Sequence, residues 1–215
     1  MSEKYKFHNP DGVYFVTSTI TDWVDIFTKS VYCNIVVDSL KYCQQNKGLV
    51  IHAWVIMSNH IHLIISRNSK PQLSEIMRDF KRFTSIELIK ELQGNSLHAE
   101  NPRASTGPTL AREFSRATSS QHAENPRASG RRNKWILELF SKAAKKIKRA
   151  DYFKVWQDGN HPIELDSNFI MEQKLNYLHN NPVTAGIVYN PEDYVYSSAI
   201  DYSGGKGLID LEILD

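Results

Sequence analysis

Two apolar runs, Leu49 to Ile56 and Met57 to Ile65, follow one another with only the polar break Ser58-Asn59 near their junction. Runs rich in β-branched and aliphatic residues, separated by so short a break, predict an antiparallel pair of strands. This constrains the rest of the chain, because a strand sends alternate side chains to opposite faces. His60 and His62 then point one way, while Ile61, Leu63 and Ile65 point into a core. Two neighbouring imidazoles on a rigid strand make two-thirds of a metal site. Imidazole takes several divalent metals, so the pair names no ion by itself. It suits a polar strand face as well, and a metal site needs a further ligand from elsewhere.

The flanking segments supply a frame for that pair. Val13 to Ile20 is rich in β-branched and aromatic residues, follows the turn signal Pro10-Asp11-Gly12, and reads as the first strand. Val31, Ile35, Val36, Leu40 and Cys43 recur at helical spacing, predicting a helix from Lys29 to Asn46 stopped near Gly48. Leu73, Ile76, Met77, Phe80, Phe83, Leu88, Ile89 and Leu92 mark a second helix, Gln72 to Leu92, with Arg78, Lys81 and Arg82 on its polar side. The order β-α-β-β-α is the ferredoxin-like arrangement lacking one strand. Tyr152 to Trp156 is the candidate for that missing edge. The expected class is α+β: a ferredoxin-like or RRM-like antiparallel sheet packed by helices, with an inserted loop and a C-terminal tyrosine-bearing helix.

Residues 94–130 interrupt the pattern. The octapeptide His-Ala-Glu-Asn-Pro-Arg-Ala-Ser stands at 98–105 and again, unchanged, at 122–129. The stretch is rich in Ser, Ala, Pro and Arg and has little apolar periodicity, so it reads as a loop or disordered insert within a single domain spanning 1–215. Identity this strict points to duplicated coding sequence rather than a structural repeat, which would need apolar faces to stack. His98 and His122 are therefore poor ligand candidates.

A formal charge of +2 says little, but its distribution says more. Between Arg131 and Arg149 stand Arg131, Arg132, Lys134, Lys142, Lys145, Lys146, Lys148 and Arg149 against one acid, Glu138. Such a run suits a phosphate backbone, and equally a solvated helix face. A helix is predicted from Lys134 to Lys148, with Trp135, Leu139, Phe140 and Ile147 on its apolar side. Together with Arg78, Lys81 and Arg82, and with Trp156 as an aromatic platform, these basic residues are the candidate nucleic-acid-binding set. Cys33 and Cys43 lie on one predicted helix, about 15 Å apart along its axis, too far to bridge. The absence of a disulfide framework, of a membrane-length apolar run and of a signal peptide at Met1-Ser2-Glu3-Lys4 leads to a cytoplasmic expectation.

The further ligand is sought near the end. Asp166 or Ser167 can cap a helix from Asn168 to about Asn180, whose Met171, Leu175 and Leu178 face the sheet. Lys174, Tyr177 and Asn181 follow along the adjacent side, with Tyr177 and Asn181 one turn apart. Pro182 is expected to end the helix and leave Asn181 at its frayed terminus. An amide oxygen suits Mg²⁺ or Mn²⁺, so Asn181 could complete a site with His60 and His62, with the Tyr177 hydroxyl close by. A tyrosine ordinarily titrates near 10, so a nucleophilic Tyr177 would need the metal or Lys174 nearby to ease its deprotonation.

These segments resemble the REP-associated tyrosine transposases, members of the single-tyrosine HUH group within the IS200-like transposases. The resemblance is carried by Ala53-Trp54-Val55-Ile56-Met57-Ser58-Asn59-His60-Ile61-His62 and by Asp79-Phe80-Lys81-Arg82-Phe83-Thr84. Phe153-Lys154-Val155-Trp156-Gln157 and Tyr177-Leu178-His179-Asn180-Asn181-Pro182-Val183-Thr184-Ala185-Gly186 complete it. The resemblance implies that His60, His62 and Asn181 bind a divalent metal and that Tyr177 is the nucleophile. It also implies a DNA transposase that cuts and rejoins single-stranded or hairpin DNA through a 5′-phosphotyrosine link, as a monomer or homodimer. Residues 94–130 depart from the family pattern, whose link there is much shorter. Two other functions fit the residues: a non-catalytic RRM-like nucleic-acid-binding module, which would carry aromatics on an open sheet face, and a metal nuclease using water.

Overall fold

The computed structural model describes residues 7–68, 71–94, 126–146 and 152–214. Its centre is a four-stranded antiparallel sheet in the order β2-β3-β1-β4. β1 is Tyr14–Thr19, β2 Leu49–Ile56, β3 His60–Arg67 and β4 Ile163–Glu164. β2 and β3 pair as expected, with a register irregularity between Ile51 and Ala53 that leaves His52 opposite no partner. β1 pairs with β3 so that Thr17 stands opposite His62 and Thr19 opposite His60.

Alternation along the strands divides the core in two. Tyr14, Val16, Ile51, Trp54, Ile56, Ile61, Leu63 and Ile65 face α1 (Ser30–Lys47) and α2 (Leu73–Leu92). Phe15, Ala53, Val55, Met57 and Ile64 face the opposite side, where Leu178 of the tyrosine helix packs. Burying one such side chain contributes about 1.5–3 kcal/mol, so this alternation fixes which strand face meets which helix. α1 stops at Gly48, whose φ of +67° is the left-handed cap that a side chain would strain. α2 opens with a reciprocal cap: Gln72 and Glu75 each satisfy the other's free backbone N–H. Cys33 and Cys43 are buried thiols on α1, and burial pushes Cys33 up to about 12 and Cys43 to about 11.

Three expectations need correction. The missing edge strand is β4, only two residues long. Tyr152 to Trp156 contributes a single bridge, Trp156 to Ile20, beyond the end of β1. The Trp156 ring turns into the core there, so the segment cannot run on as a strand. The third helix, α3, spans Pro126–Lys145, so the last residues of the supposed 94–130 loop are helical; proline is well suited to a first turn. Residues 95–125, with the first octapeptide, and Lys148 and Ile147 lie outside the described residues. Within α3, Ile136, Phe140, Ala143 and Ala144 form the buried face, whereas Trp135 is 53% exposed.

The tyrosine helix, α4, is the third correction. It runs Asn168–Thr184, straight through Pro182. Ser167 accepts from the Ile170 N–H at its start, and Gly186 (φ +70°) follows its end. Proline removes one N–H, but its ring is buried and the next turn still closes, with Ala185 N–H donating to Asn181 O at 2.9 Å. Asn181 therefore sits inside a helix, not at a frayed end. A four-residue α5, Ala199–Tyr202, precedes the C-terminal segment.

Candidate active site

β3 holds His60 and His62 on the face turned toward α4, with ring centroids 4.8 Å apart. Phe15 of β1 stacks on His62 at 5.1 Å and 27°, giving the ring an apolar back wall. The Tyr177 ring meets His62 edge-on at 5.4 Å and lies 6.1 Å from Phe15. Lys174, one turn earlier on α4, sets its ammonium 5.3 Å from the centre of the Phe15 ring and 5.9 Å from that of Tyr177. Two histidines, a tyrosine and a lysine from opposite ends of the chain thus share one corner.

The electrostatics favour neutral imidazoles. Burial lowers His60 below the usual histidine range, and burial, with His60 and Lys174 adding to it, lowers His62 to about 3. His62 Nδ1 hydrogen-bonds Thr17 Oγ1 at 2.8 Å, while its Nε2 is buried with no hydrogen-bond partner. His60 donates from Nδ1 to Asn59 Oδ1 at 2.8 Å, which leaves the Nε2 lone pair free of a proton. A buried ring nitrogen without a partner is costly. A cation accepting its lone pair would remove that cost, and the Thr17 and Asn59 contacts are of the kind that orients histidines in metal sites.

Asn181 donates its amide to the Tyr177 carbonyl at 2.8 Å, which leaves Oδ1 as the acceptor available to a cation. Among the described residues no three His, Cys, Asp or Glu side chains cluster as a metal site. Among the described residues, a third protein ligand beside the two imidazoles would be of another type, such as this amide.

Asn59 and Trp23 were not singled out by the sequence. Asn59 bonds His60 through its oxygen and, through Nδ2, the Trp23 carbonyl (3.3 Å) and Asp25 Oδ1 (2.9 Å). The Trp23 ring stands edge-on to His60 at 6.0 Å. A polar residue directly before a strand histidine was the available signal for Asn59; nothing local marked Trp23.

The candidate DNA-binding residues separate by environment. Arg82, Arg131, Lys134, Lys142, Lys145 and Lys146 are exposed. Arg78 is exposed and paired with Asp79. Lys81 is half-buried, donates to the Gln157 and Gly159 carbonyls at 3.3 and 2.5 Å, and is lowered by burial to about 8, so it braces that loop. Arg132 donates to Asp25 O at 2.6 Å and Thr28 Oγ1 at 3.0 Å, anchoring α3 to the turn that carries Trp23. Trp156 is 5% exposed, packs on Phe27 and Phe80, and donates to Thr84 Oγ1. It is a core residue rather than a base-stacking platform. A groove of about 870 Å³ between α2 and residues 152–160 gathers Arg78, Arg82, Lys90, Lys154 and the 90%-exposed Tyr152.

Residues 19–101 match the family described as transposase IS200 like, a stretch that contains His60 and His62 and ends before Tyr177. Among solved structures, a REP-associated tyrosine transposase bound to a REP hairpin is similar over 100% of this chain and 94% of its own, with 15% identity and a TM-score of 0.56. A putative transposase from Deinococcus radiodurans R1 aligns over 57% of this chain and 100% of its own, with 14% identity and a TM-score of 0.34. No curated protein matches the chain significantly. The resemblance borne by the residues is matched independently: residues 19–101 carry the pattern of the IS200-like transposases, and the chain as a whole has the fold of a REP-associated tyrosine transposase.

Proposed function

We propose that this protein is a DNA transposase that cuts and rejoins single-stranded, hairpin-bearing DNA through Tyr177. The observation that carries the reading is the meeting of Tyr177 with His62, whose buried Nε2 has no partner, within one chain. His60, His62 and Asn181 would hold the cofactor, Mg²⁺ or Mn²⁺. When bound, the metal supplies positive charge that polarises and orients the scissile phosphate.

The chain's own residues supply the rest. The Tyr177 oxygen attacks phosphorus in line; its bond to phosphorus forms as the bond to the 3′ oxygen breaks. The proton lost by the phenol is balanced by the one gained at the departing 3′-hydroxyl. A 5′-phosphotyrosine keeps the bond energy, so a later attack by a 3′-hydroxyl rejoins a strand without a nucleotide cofactor. Lys174 stabilises the developing phenolate by its charge. The half-buried Thr17 and Asn59 hold both imidazoles in place. The groove beside α2 and the exposed lysines of α3 contact the backbone.

An RRM-like module is disfavoured, because α4 covers the face on which such a domain stacks bases; Phe15 is only 4% exposed. Incubation with Mn²⁺ and hairpin-bearing single-stranded DNA tests the proposal. A denaturant-stable protein–DNA adduct, absent in Tyr177→Phe, supports it. Cleavage without an adduct assigns a water-using nuclease, and binding alone a non-catalytic module.

A further inference from the structure

The turn between β1 and α1 holds an aromatic ring in the open at considerable conformational cost. Asp22 and Trp23 both adopt φ of +55°, left-handed angles that neither residue favours. Such residues cost about 1–3 kcal/mol each and persist where the surroundings impose them. The surroundings here are explicit. Trp23 N–H donates to Ile20 O at 3.0 Å, Asn59 Nδ2 donates to the Trp23 carbonyl, and Arg132 grips Asp25 O from α3. The outcome is an indole that is 58% exposed and touches the edge of His60. Core packing does not explain it, since a core tryptophan is buried, as Trp54 and Trp156 are.

Trp23 neighbours His60, His60 neighbours His62 and His62 neighbours Tyr177, with centroid separations of 6.0, 4.8 and 5.4 Å. A phosphate seated over the imidazoles would have the attacking phenol next to His62 and the indole next to His60. The surface around Trp23 is polar, with Asp22, Asp25 and Thr28 all exposed, so the ring does not belong to an apolar patch of the kind that docks another protein. An isolated indole face in a polar setting suits the π-face of a nucleobase. Asn59 joins the Trp23 turn to His60 through a single amide, so platform and imidazole are positioned as one unit.

We infer that Trp23 stacks on an unpaired base adjacent to the phosphate that Tyr177 attacks, and so positions the strand for cleavage. The inference rests on the single-stranded DNA reading given above. Stacking tolerates any base and favours purines, whose rings are larger.

The test uses the full chain with hairpin oligonucleotides carrying, at each position flanking the cut, a purine, a pyrimidine or an abasic residue. Binding is read by fluorescence anisotropy in chelator, and adduct formation in Mn²⁺. Trp23→Ala is expected to weaken binding about 10-fold, and to raise the DNA concentration for half-maximal rate similarly while changing the saturated rate little. Trp23→Asn, which tolerates left-handed angles, should show the same loss with its fold intact, and Trp23→Phe should recover most of the affinity. One abasic position should cost the wild type the same factor and cost Trp23→Ala nothing further. Wild-type affinity in Trp23→Ala, or an undiminished abasic penalty in that variant, overturns the inference. So does a dimer-to-monomer shift on size exclusion with unchanged DNA affinity. A wild type that stacks in chelator but never forms an adduct removes the transposase reading and leaves the platform standing.

Discussion

Tyr177 and His62 touch edge-on, 5.4 Å between ring centroids, although 114 residues of sequence separate them and one chain supplies both. The proposed nucleophile and the proposed ligand thus meet within one chain, the arrangement expected of action in cis. Tyr177→Phe should lower adduct formation by about 10³-fold or more, since it removes the attacking atom and keeps the ring contact. Mixing Tyr177→Phe with His62→Ala protein should not restore the adduct. Restored activity in the mixture would show that the helix is traded between subunits.

The Thr17 hydroxyl, across from His62 in the β1–β3 register, hydrogen-bonds the His62 ring at Nδ1. Thr17→Val preserves shape and removes that bond. Mn²⁺ affinity by calorimetry should fall about 10-fold, the usual loss when the partner of a ligating histidine is removed. An unchanged affinity would detach Thr17 from the metal site.

His179 offers a pH test away from the imidazole pair. It lies on the buried side of α4, bonded to Ser198 Oγ at 2.8 Å, and burial lowers it to about 4. A histidine whose folded value lies below its ordinary value of 6.5 takes up a proton more readily when unfolded. Its contribution is complete above about 6.5 and is lost as pH falls toward about 4. His62 acts in the same direction, down to about 3. Melting temperature should therefore drop between pH 7 and pH 4.5, and His179→Gln should make that drop smaller. An identical slope in the variant would refute the assignment.

The basic residues of α3 should not behave alike. Arg132 is spent on Asp25 and Thr28, whereas Lys134 and Lys142 stand in solvent. Lys134→Ala and Lys142→Ala should each reduce the slope of log affinity against log salt by about 1 if they contact phosphates. Arg132→Ala should lower the melting temperature and loosen the Trp23 turn. An equal salt effect in all three would make Arg132 a phosphate contact as well.

What the sequence revealed follows a physical pattern. α1, β2 and α2 were legible to within a residue because their periodicity is strong and Gly48 and Gln72 mark their ends, whereas β3 begins three residues later than the apolar run, after the Ser58-Asn59 break, and ends two later, at Arg67. β4 was not, since a two-residue strand has no period and exists only where β1 offers it an edge. Pro182 misled because a stop signal yields when the proline ring itself is buried, beside the buried Leu178 and His179, and the turn beyond it still closes. Trp156 misled because composition cannot tell an aromatic on a surface from one turned inward to Thr84. Within the candidate site, alternation placed the two imidazoles on one face, and helical spacing aligned Lys174, Tyr177 and Asn181. Their outer partners, Thr17, Asn59 and Trp23, depend on strand register and a left-handed turn that no local pattern announces.

The outer margin of β2 has its own closure. Ile56 N–H donates to Tyr196 O, Ser198 N–H to Trp54 O, and Glu212 N–H to Ile51 O, while the Tyr194 and Tyr202 hydroxyls reach the Ile56 and His52 carbonyls. Residues between 194 and 212 thus occupy the ladder positions that a neighbouring strand would need. A second copy could not lengthen the sheet past β2 without first peeling this tail away, so any pairing of subunits through that border would have to begin with local unfolding.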